Sequence, residues 1–158
     1  MAVKPIPDGY PQVMPYLIVR DVPRLIDFLS TVFGGKEMSR HDDGNGKVVH
    51  AEVRIGDSVV MMGEAGPQWP ASPASIMIYV EDTDAAYARA LKAGATSLTE
   101  PENKFYGDRN ANVRDPFGNQ WFISTRVEAL SSEEMTSRSD AYSQTAANRQ
   151  THGRDEAG

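Results

Sequence analysis

The sequence feature that most constrains this chain is an internal duplication, in which the pattern of one half returns about sixty residues later. The recurring positions are Val19 and Val80, Asp21 and Asp82, Val53 and Val113, and Arg54 and Arg114. A chain of 158 residues has room for one domain of ordinary size. The duplication therefore predicts two similar half-units that share a single hydrophobic core, and it excludes a large multidomain protein.

Both halves show the same order of secondary-structure signals. Each begins with a short apolar run typical of a strand, followed by an Asp that can cap a helix, an apolar stripe with helical spacing, and a glycine that can end the helix. Three segments with period-two alternation follow, at residues 36–42, 47–55 and 58–63 and again at residues 96–105, 109–114 and 119–125. Each half is predicted to be a βαβββ module, so the fold class is α+β.

These signals divide the chain into five segments. They are an N-terminal extension (1–9), the first module (10–63), a linker rich in Pro and Gly (64–74), the second module (75–126) and a polar C-terminal tail (127–158). In the tail, Ser131 and Glu134 make a capping-box pattern that predicts a helix start. The apolar face of this helix is thin. It is therefore either a solvent-facing helix with a disordered end from about Arg149, or an arm that packs on a partner subunit.

Composition excludes several classes of function. The absence of Cys rules out disulfides, thiolate nucleophiles, Cys-ligated zinc and iron–sulfur clusters. A net charge of −6 without any basic run predicts no nucleic-acid partner and no anionic membrane partner. No apolar run approaches the about 20 residues of a membrane span, and the N-terminal stretch lacks the apolar core of a signal peptide. We therefore expect a cytoplasmic protein.

Two motifs in the second half point to a known family. They are Tyr106-Gly107-Asp108-Arg109 and Asp115-Pro116-Phe117-Gly118-Asn119-Gln120-Trp121. Together with the duplicated βαβββ pattern, they resemble the vicinal oxygen chelate superfamily, which contains glyoxalase I, bleomycin-resistance proteins and extradiol dioxygenases. The resemblance is greatest to its small branch associated with phosphonate operons, except that Asn119 stands where that branch usually has His.

This resemblance spans about residues 10–126 and implies a particular architecture. Members of the superfamily form a cup from curved sheets, with helices on the convex side and the ligand on the concave side. They are often homodimers whose cups are completed between subunits. We therefore expect a homodimer here.

The resemblance also implies four positions for metal ligands, one on the first and one on the fourth strand of each half. In this chain those positions hold Met14, Met61, Ser75 and Phe122. Thioether, hydroxyl and phenyl groups are poor ligands for zinc, nickel, iron or manganese. Of the three His residues, His41 near a turn and His152 in the tail join no cluster of candidate ligands. We therefore expect no metal cofactor.

Strand alternation, applied to the implied cup, assigns the side chains that should face a ligand. Most are aromatic, apolar or thioether groups, which suit a flat or irregular apolar ligand. The predicted ligand-binding residues are Met14, Tyr16, His50, Glu52, Arg54, Met61, Trp69, Met77, Tyr79, Asn112, Arg114 and Phe122. Trp69 in the linker either closes over the ligand as a lid or packs on the outer helix, whereas Trp121 should lie in the core. A β-bulge in any strand would change its assignment.

The charged residues of the cup leave two interpretations open. His50 and Glu52 lie two apart on one strand, so they are weak candidates for an acid–base pair or a relocated metal site. In the structural alternative, which we favour, Glu52 pairs with Arg54 or Arg114 and His50 makes a hydrogen bond nearby. The two arginines can instead clamp a carboxylate or phosphonate of the ligand.

The sequence thus predicts a metal-free homodimer that binds a small aromatic or apolar molecule, as its resemblance to bleomycin-resistance proteins implies. The negative net charge favours a cationic ligand. One alternative is a glyoxalase-type lyase, isomerase or dioxygenase that uses a divalent metal at His50 and Glu52. Another is a cofactor-free enzyme in which His50 or Glu52 is the base and Arg54 stabilises an oxyanion. A last alternative is an interaction module whose cup is filled by its own side chains.

Overall fold

A computed structural model describes residues 2–155, with side chains described up to residue 150, and it contains the two predicted modules in tandem. The first module comprises β1 (Tyr16–Val19), α1 (Val22–Phe33), β2 (Lys36–Asp42), β3 (Val48–Ile55) and β4 (Ser58–Glu64). The second comprises β5 (Ser75–Tyr79), α2 (Thr83–Lys92), β6 (Thr96–Asn103), β7 (Asp108–Arg114) and β8 (Gln120–Arg126), and α3 (Ser132–Asp155) follows it. The βαβββ duplication and the α+β class are confirmed.

Each module forms one four-stranded mixed sheet. The strand orders are β1-β4-β3-β2 and β5-β8-β7-β6. In both sheets the first strand pairs in parallel with the fourth strand, and the other pairs are antiparallel. The parallel pair is possible because the helix between the first two strands carries the chain across the sheet.

Both module helices begin at a predicted Asp cap, and α1 ends at a predicted glycine, whereas α2 ends at Ala93, one residue before the expected Gly94. Asp21 accepts a hydrogen bond from the Arg24 amide at 3.2 Å, and Gly34 ends α1 with a φ of 67°, a left-handed conformation that glycine adopts easily. At the second helix Asp82 is the cap, because its carboxylate accepts from the amide of Ala85 at 3.0 Å. These caps fix where each helix leaves its sheet.

The two modules are joined through their helices. Both helices pack on the same side of their sheets and against each other. At this junction the ring of Phe33 lies 4.9 Å from that of Trp121, and Arg89 Nε donates to the carbonyl of Val32 at 3.1 Å. Trp121 is 1% exposed, which confirms its place in the core. One hydrophobic core therefore spans both modules.

This packing determines where the remaining sheet faces point. Among the described residues, no strand of one sheet makes substantial contact with a strand of the other, since α1 and α2 carry the contact between modules. Each sheet therefore keeps a face that no helix covers, and the two uncovered faces do not meet within one chain. After the cup that the resemblance implies, we call them the first and second concave faces, for the first and second module.

A buried polar network closes the last turn of the second module. Asp115 is 4% exposed and accepts hydrogen bonds from the amides of Phe117 and Asn119, both at 2.9 Å. Its other oxygen accepts from Asn119 Nδ2 at 3.1 Å and Trp121 Nε1 at 2.9 Å. Asn119 in turn accepts from the amide of Ala74 in the linker at 3.0 Å. The residue that replaces the usual His of the resembled branch is therefore a fully buried structural residue.

The C-terminal helix is longer than the sequence indicates. The predicted capping box is present, because the Ser131 amide donates to Glu134 at 2.9 Å and the Glu134 amide donates back to Ser131 at 3.2 Å. The helix then continues past Arg149, where a disordered end was expected, to Asp155. It contacts the second module at Phe105, whose ring lies 4.7 Å from that of Tyr142 and whose carbonyl accepts from Arg138 at 3.3 Å.

None of the helices in the described part of the chain is both long and apolar enough to cross a membrane.

Candidate functional site

The first concave face has the composition that strand alternation predicts. Buried Leu17, Val19, Ala51 and Val53 point to the core, and the residues between them face the other way. The first concave face is formed by Tyr16 and Ile18 of β1, His50, Glu52 and Arg54 of β3, and Met61 and Gly63 of β4. The strand register places Met61 beside both Tyr16 and Glu52, and Gly63 beside His50. Met14 precedes β1 and is half-buried.

A β-bulge changes the alternation at the start of β3. His41 lies opposite His50, and the next residue, Asp42, lies opposite Val48, so Val49 is an extra residue. Val48 is 7% exposed and belongs to the core, whereas Val49 is 38% exposed. Val49 thereby joins the first concave face, which strand alternation alone would not predict.

A cleft of about 470 Å³ lies on this face. It is lined by Tyr16, Ile18, Val49, Gly63, Glu64 and Trp69. Trp69 is 68% exposed and stands at the cleft instead of packing on the outer helix. Of the two positions expected for this side chain, the structure shows the one from which it can cover a ligand.

Four polar side chains form a continuous chain of hydrogen bonds on the first concave face. Tyr16 Oη lies 3.0 Å from His50 Nδ1, and His50 Nε2 lies 3.3 Å from Glu52 Oε1. The second oxygen of Glu52 accepts from the hydroxyl of Tyr10 at 2.5 Å. We call this set, Tyr16, His50, Glu52 and Tyr10, the polar relay. It joins the two weak catalytic candidates of the sequence directly to each other.

The expected partners of Glu52 are corrected by this arrangement. Glu52 pairs with His50 and Tyr10 and not with Arg54 or Arg114. The guanidinium of Arg54 instead donates to the carbonyl of Gly9 at 2.6 Å, because the N-terminal extension lies across this part of β3. Arg114 is exposed and makes no ion pair within the described residues. No pattern in residues 1–10 signalled that Tyr10 would reach Glu52, forty-two positions away.

His41 is the other imidazole near the relay. The sequence placed it near a turn and outside any cluster, yet it lies on β2 with its ring centroid 5.9 Å from that of His50. The bulged pairing of β2 with β3 produces this proximity. The side chain of His152 lies outside the part of the chain whose side chains are described.

The hydrogen bond from Tyr10 changes the titration of both partners. It is the largest effect on the pKa of Glu52, which it lowers. Burial opposes it by raising this pKa, and the hydrogen bond with His50 lowers the pKa further. The bond from Tyr10 is also the largest cause that raises the pKa of Tyr10, because loss of the phenol proton would break the bond and leave two negative charges side by side. Glu52 is therefore ionised and Tyr10 neutral near pH 7.

We expect Tyr10→Phe to destabilise the protein at pH 7, because Glu52 loses the hydrogen bond from this hydroxyl and hydrogen bonds to charged groups typically contribute about 1.5–3 kcal/mol. The carboxyl has a lowered pKa in the folded state, so its stabilising contribution is present above its ordinary pKa and is lost as the pH falls. The difference between variant and wild type should therefore shrink below about pH 4. Urea unfolding of wild type and variant at pH 7 and pH 3.5 measures this difference in the free energy of unfolding.

The matched control is Tyr142→Phe, which removes an exposed phenol hydroxyl on α3. It should change the free energy of unfolding by less than about 0.5 kcal/mol at both pH values. An equal effect of Tyr10→Phe at both pH values would contradict the assigned hydrogen bond.

The second concave face has a different chemistry. Met77 and Tyr79 of β5 are 48% and 64% exposed, and the register places Phe122 of β8 beside Met77. Tyr79 donates to the buried carboxylate of Asp108 at 2.8 Å, which raises the pKa of that phenol. Asn112 donates to Thr99 at 2.7 Å, while its carbonyl oxygen is buried without a hydrogen-bond partner among the described residues. The face thus combines the apolar and aromatic groups of Met77, Tyr79 and Phe122 with polar side chains of the neighbouring strand positions, including one unused acceptor.

Arg109, the last residue of the Tyr-Gly-Asp-Arg motif, does not reach a concave face. It forms two bonds to Asp84 on α2, with 2.8 Å between Nη2 and Oδ1. This ion pair raises the pKa of Arg109 and lowers that of Asp84. The motif therefore ties β7 to α2 on the helix side of the sheet.

The four positions implied for metal ligands do not form a metal site. Met14 and Met61 are half-buried on the first module, and Ser75 and Phe122 lie on β5 and β8 of the second. Their thioether, hydroxyl and phenyl groups do not fit a divalent transition metal. Among the described residues, no three His, Asp or Glu side chains are grouped so that they could hold an ion. In the described part of one chain, His50 and Glu52 therefore have no third ligand of these types grouped with them.

Comparison with known proteins agrees with the fold. Residues 9–123 match the model of the Glyoxalase/Bleomycin resistance protein/Dioxygenase superfamily. The chain is 36% identical over 136 residues to an uncharacterised protein of Mycobacterium bovis, a match that covers 79% of this chain and 90% of that protein. An uncharacterised protein of Mycobacterium tuberculosis strain H37Rv matches with the same identity, and 80% of its length is covered.

Solved structures show the same architecture. TioX from Micromonospora sp. ML1 superposes with a TM-score of 0.63 at 26% identity, covering 74% of this chain and 99% of TioX. The fosfomycin resistance protein FosX from Mesorhizobium loti superposes with a TM-score of 0.54 at 20% identity, covering 76% of this chain and 92% of FosX. The latter likeness concerns the fold alone.

Proposed function

Because this chain belongs to the glyoxalase/bleomycin resistance protein/dioxygenase superfamily, we propose that it binds a small aromatic or apolar molecule in a cup that two copies of the chain complete. Membership of the superfamily establishes the fold but does not identify the ligand or the reaction, since one scaffold hosts many functions. The proposal therefore rests on the two concave faces themselves.

The observation that carries the proposal is that each chain exposes two aromatic half-cups that do not meet. Tyr16 is 53% exposed on the first face, and Met77 and Tyr79 are about equally open on the second. Exposed apolar side chains that cluster on a concave surface are typical of a binding site or an interface. In a homodimer, the first concave face of one protomer can close on the second concave face of its partner.

The composition of the two faces indicates which ligand would fit. Trp69, Tyr79 and Phe122 offer flat surfaces for stacking, and the Met side chains adapt to an irregular outline. Arg54 is occupied by the Gly9 carbonyl, so a two-arginine clamp for a carboxylate or phosphonate is weakened. With a net charge of −6, the protein favours a neutral or cationic aromatic molecule.

A metal-dependent activity of the glyoxalase or dioxygenase type is the less favoured alternative. Its donor atoms are lacking at Met14, Met61, Ser75 and Phe122, and the pair of His50 and Glu52 does not replace them. We therefore expect a metal-free protein. Membership of the branch associated with phosphonate operons and a cytoplasmic location stay predictions.

Thioflavin T, a flat cationic aromatic dye, tests the binding proposal directly. We expect saturable binding in a fluorescence titration, and we expect Trp69→Ala to weaken it about tenfold, which corresponds to about 1.4 kcal/mol. The minority of contact residues whose truncation costs more than about 1 kcal/mol is enriched in Trp. The matched control is Tyr142→Ala, which alters a separate aromatic groove beside α3. Equal weakening by both variants, or binding unaffected by Trp69→Ala, would contradict a site in the cleft.

A further inference from the structure

The polar relay has the connectivity of a nucleophile, a base and a group that orients the base. Glu52 is ionised and can only accept hydrogen bonds, so His50 Nε2 must carry the proton that it shares with Oε1. In the neutral imidazole Nδ1 then has a free lone pair, which accepts from the hydroxyl of Tyr16 at 3.0 Å. Tyr10 fixes the second oxygen of Glu52, so the carboxylate cannot turn away.

The position of Tyr16 is also built into the sheet. A side chain at Gly63, directly opposite His50, would place its Cβ 3.0 Å from Tyr16 Oη and 3.1 Å from a ring carbon. The lack of a side chain there leaves room for the phenol beside the imidazole. The ring of Tyr16 also lines the cleft, so its hydroxyl lies where a bound molecule can meet it.

We propose that Tyr16, His50 and Glu52 form a metal-independent catalytic triad for acyl transfer from a small aromatic ester. Tyr16 is the nucleophile, His50 the general base, and Glu52 orients and stabilises the imidazolium. The inference rests on the proposed function for its substrate class, since the same cleft supplies the aromatic and apolar surface.

The reaction balances without an added cofactor. Tyr16 Oη attacks the ester carbonyl carbon as its proton passes to His50 Nδ1, and the leaving alcohol takes that proton when its bond to the acyl carbon breaks. Water then attacks the acyl-tyrosine with His50 again as base, which releases the acid and restores the phenol. No redox step is involved.

Two other tyrosines in the chain provide internal references. Tyr142 is 59% exposed, close to the 53% of Tyr16, but its ring stacks on Phe105, and no imidazole among the described side chains bonds to it. Tyr79 is 64% exposed and bonds to the carboxylate of Asp108 instead of an imidazole. A difference in reactivity between Tyr16 and these residues therefore reports the His50 partner and not exposure.

The test uses p-nitrophenyl acetate and the full-length protein. Acetylation at each tyrosine is followed by peptide mass spectrometry, and release of p-nitrophenolate is followed by absorbance. We expect acetylation of Tyr16 to be about 100-fold faster than acetylation of Tyr142. If the acyl group turns over, the release of p-nitrophenolate that depends on Tyr16 should be faster by the same factor. This factor is the lower end of what a positioned base contributes. His50→Gln and Glu52→Gln should remove most of this difference.

Gly63→Ala is the most specific variant, because it displaces the phenol while leaving all three triad side chains in the sequence. It should lower the rate at Tyr16 and leave the rate at Tyr142 unchanged, with folding checked by circular dichroism. If wild-type Tyr16 reacts no faster than Tyr142, the triad is wrong. That result leaves dye binding and dimer formation intact, so it is distinguishable from failure of the proposed function.

Discussion

Replacing Asp115 by alanine is expected to destabilise the protein by about 3–5 kcal/mol, the largest effect of any single substitution that we predict. The carboxylate satisfies four donors around one turn, including the buried indole of Trp121. Each donor left buried without a partner costs about 1–3 kcal/mol. The expected loss is a large fraction of the about 5–15 kcal/mol by which an ordinary domain is stable.

Urea unfolding followed by far-UV circular dichroism measures this loss. Asp57→Ala in the turn between β3 and β4 is the matched control, since Asp57 is exposed and bonds only to the neighbouring Ser58. It should change the free energy of unfolding by less than about 0.5 kcal/mol. Similar effects of the two substitutions would show that the buried network does not hold this turn.

The second large effect is expected from Met77→Lys on the second concave face. Met77 is about half exposed in one chain, so the substitution should leave the stability of the monomer nearly unchanged. If a partner covers this face, the new ammonium loses its hydration at a cost of several kcal/mol. The dimer dissociation constant should then rise about 100-fold or more, and thioflavin T binding should weaken with it.

Val127→Lys provides the control for this experiment. Val127 is 49% exposed and Met77 is 48% exposed, but Val127 lies just after β8 and outside both concave faces. Sedimentation velocity over a range of concentrations measures both variants. Equal dissociation of both, or no dissociation with Met77→Lys, would contradict a dimer closed through the concave faces.

The fold was predictable because the duplication repeats local signals that act over a few residues. Caps, apolar stripes and alternation at Asp21, Asp82 and the strand residues all describe contacts that lie close in sequence. The alternation also placed His50 and Glu52 on one face, as the structure shows. It failed at Val49, because a bulge inserts a residue without any composition signal.

The partners within the site were not predictable in the same way. Glu52 was expected to form an ion pair with an arginine, since opposite charges attract. In the structure its carboxylate is hydrogen-bonded to Tyr10 and His50 instead. The course of the N-terminal extension depends on packing between residues more than forty positions apart, and no local pattern encodes it. The separation of the two half-cups likewise follows from the packing of α1 on α2 and not from either module alone.

The central claim, a metal-free cup shared by two copies of the chain, is tested most directly by native mass spectrometry of freshly purified, undialysed protein. We predict a species of twice the 17.3 kDa chain mass, free of transition metal and able to carry a small organic adduct. A monomer across the concentration range would contradict the shared cup. A dimer with one transition metal per chain would contradict the metal-free site.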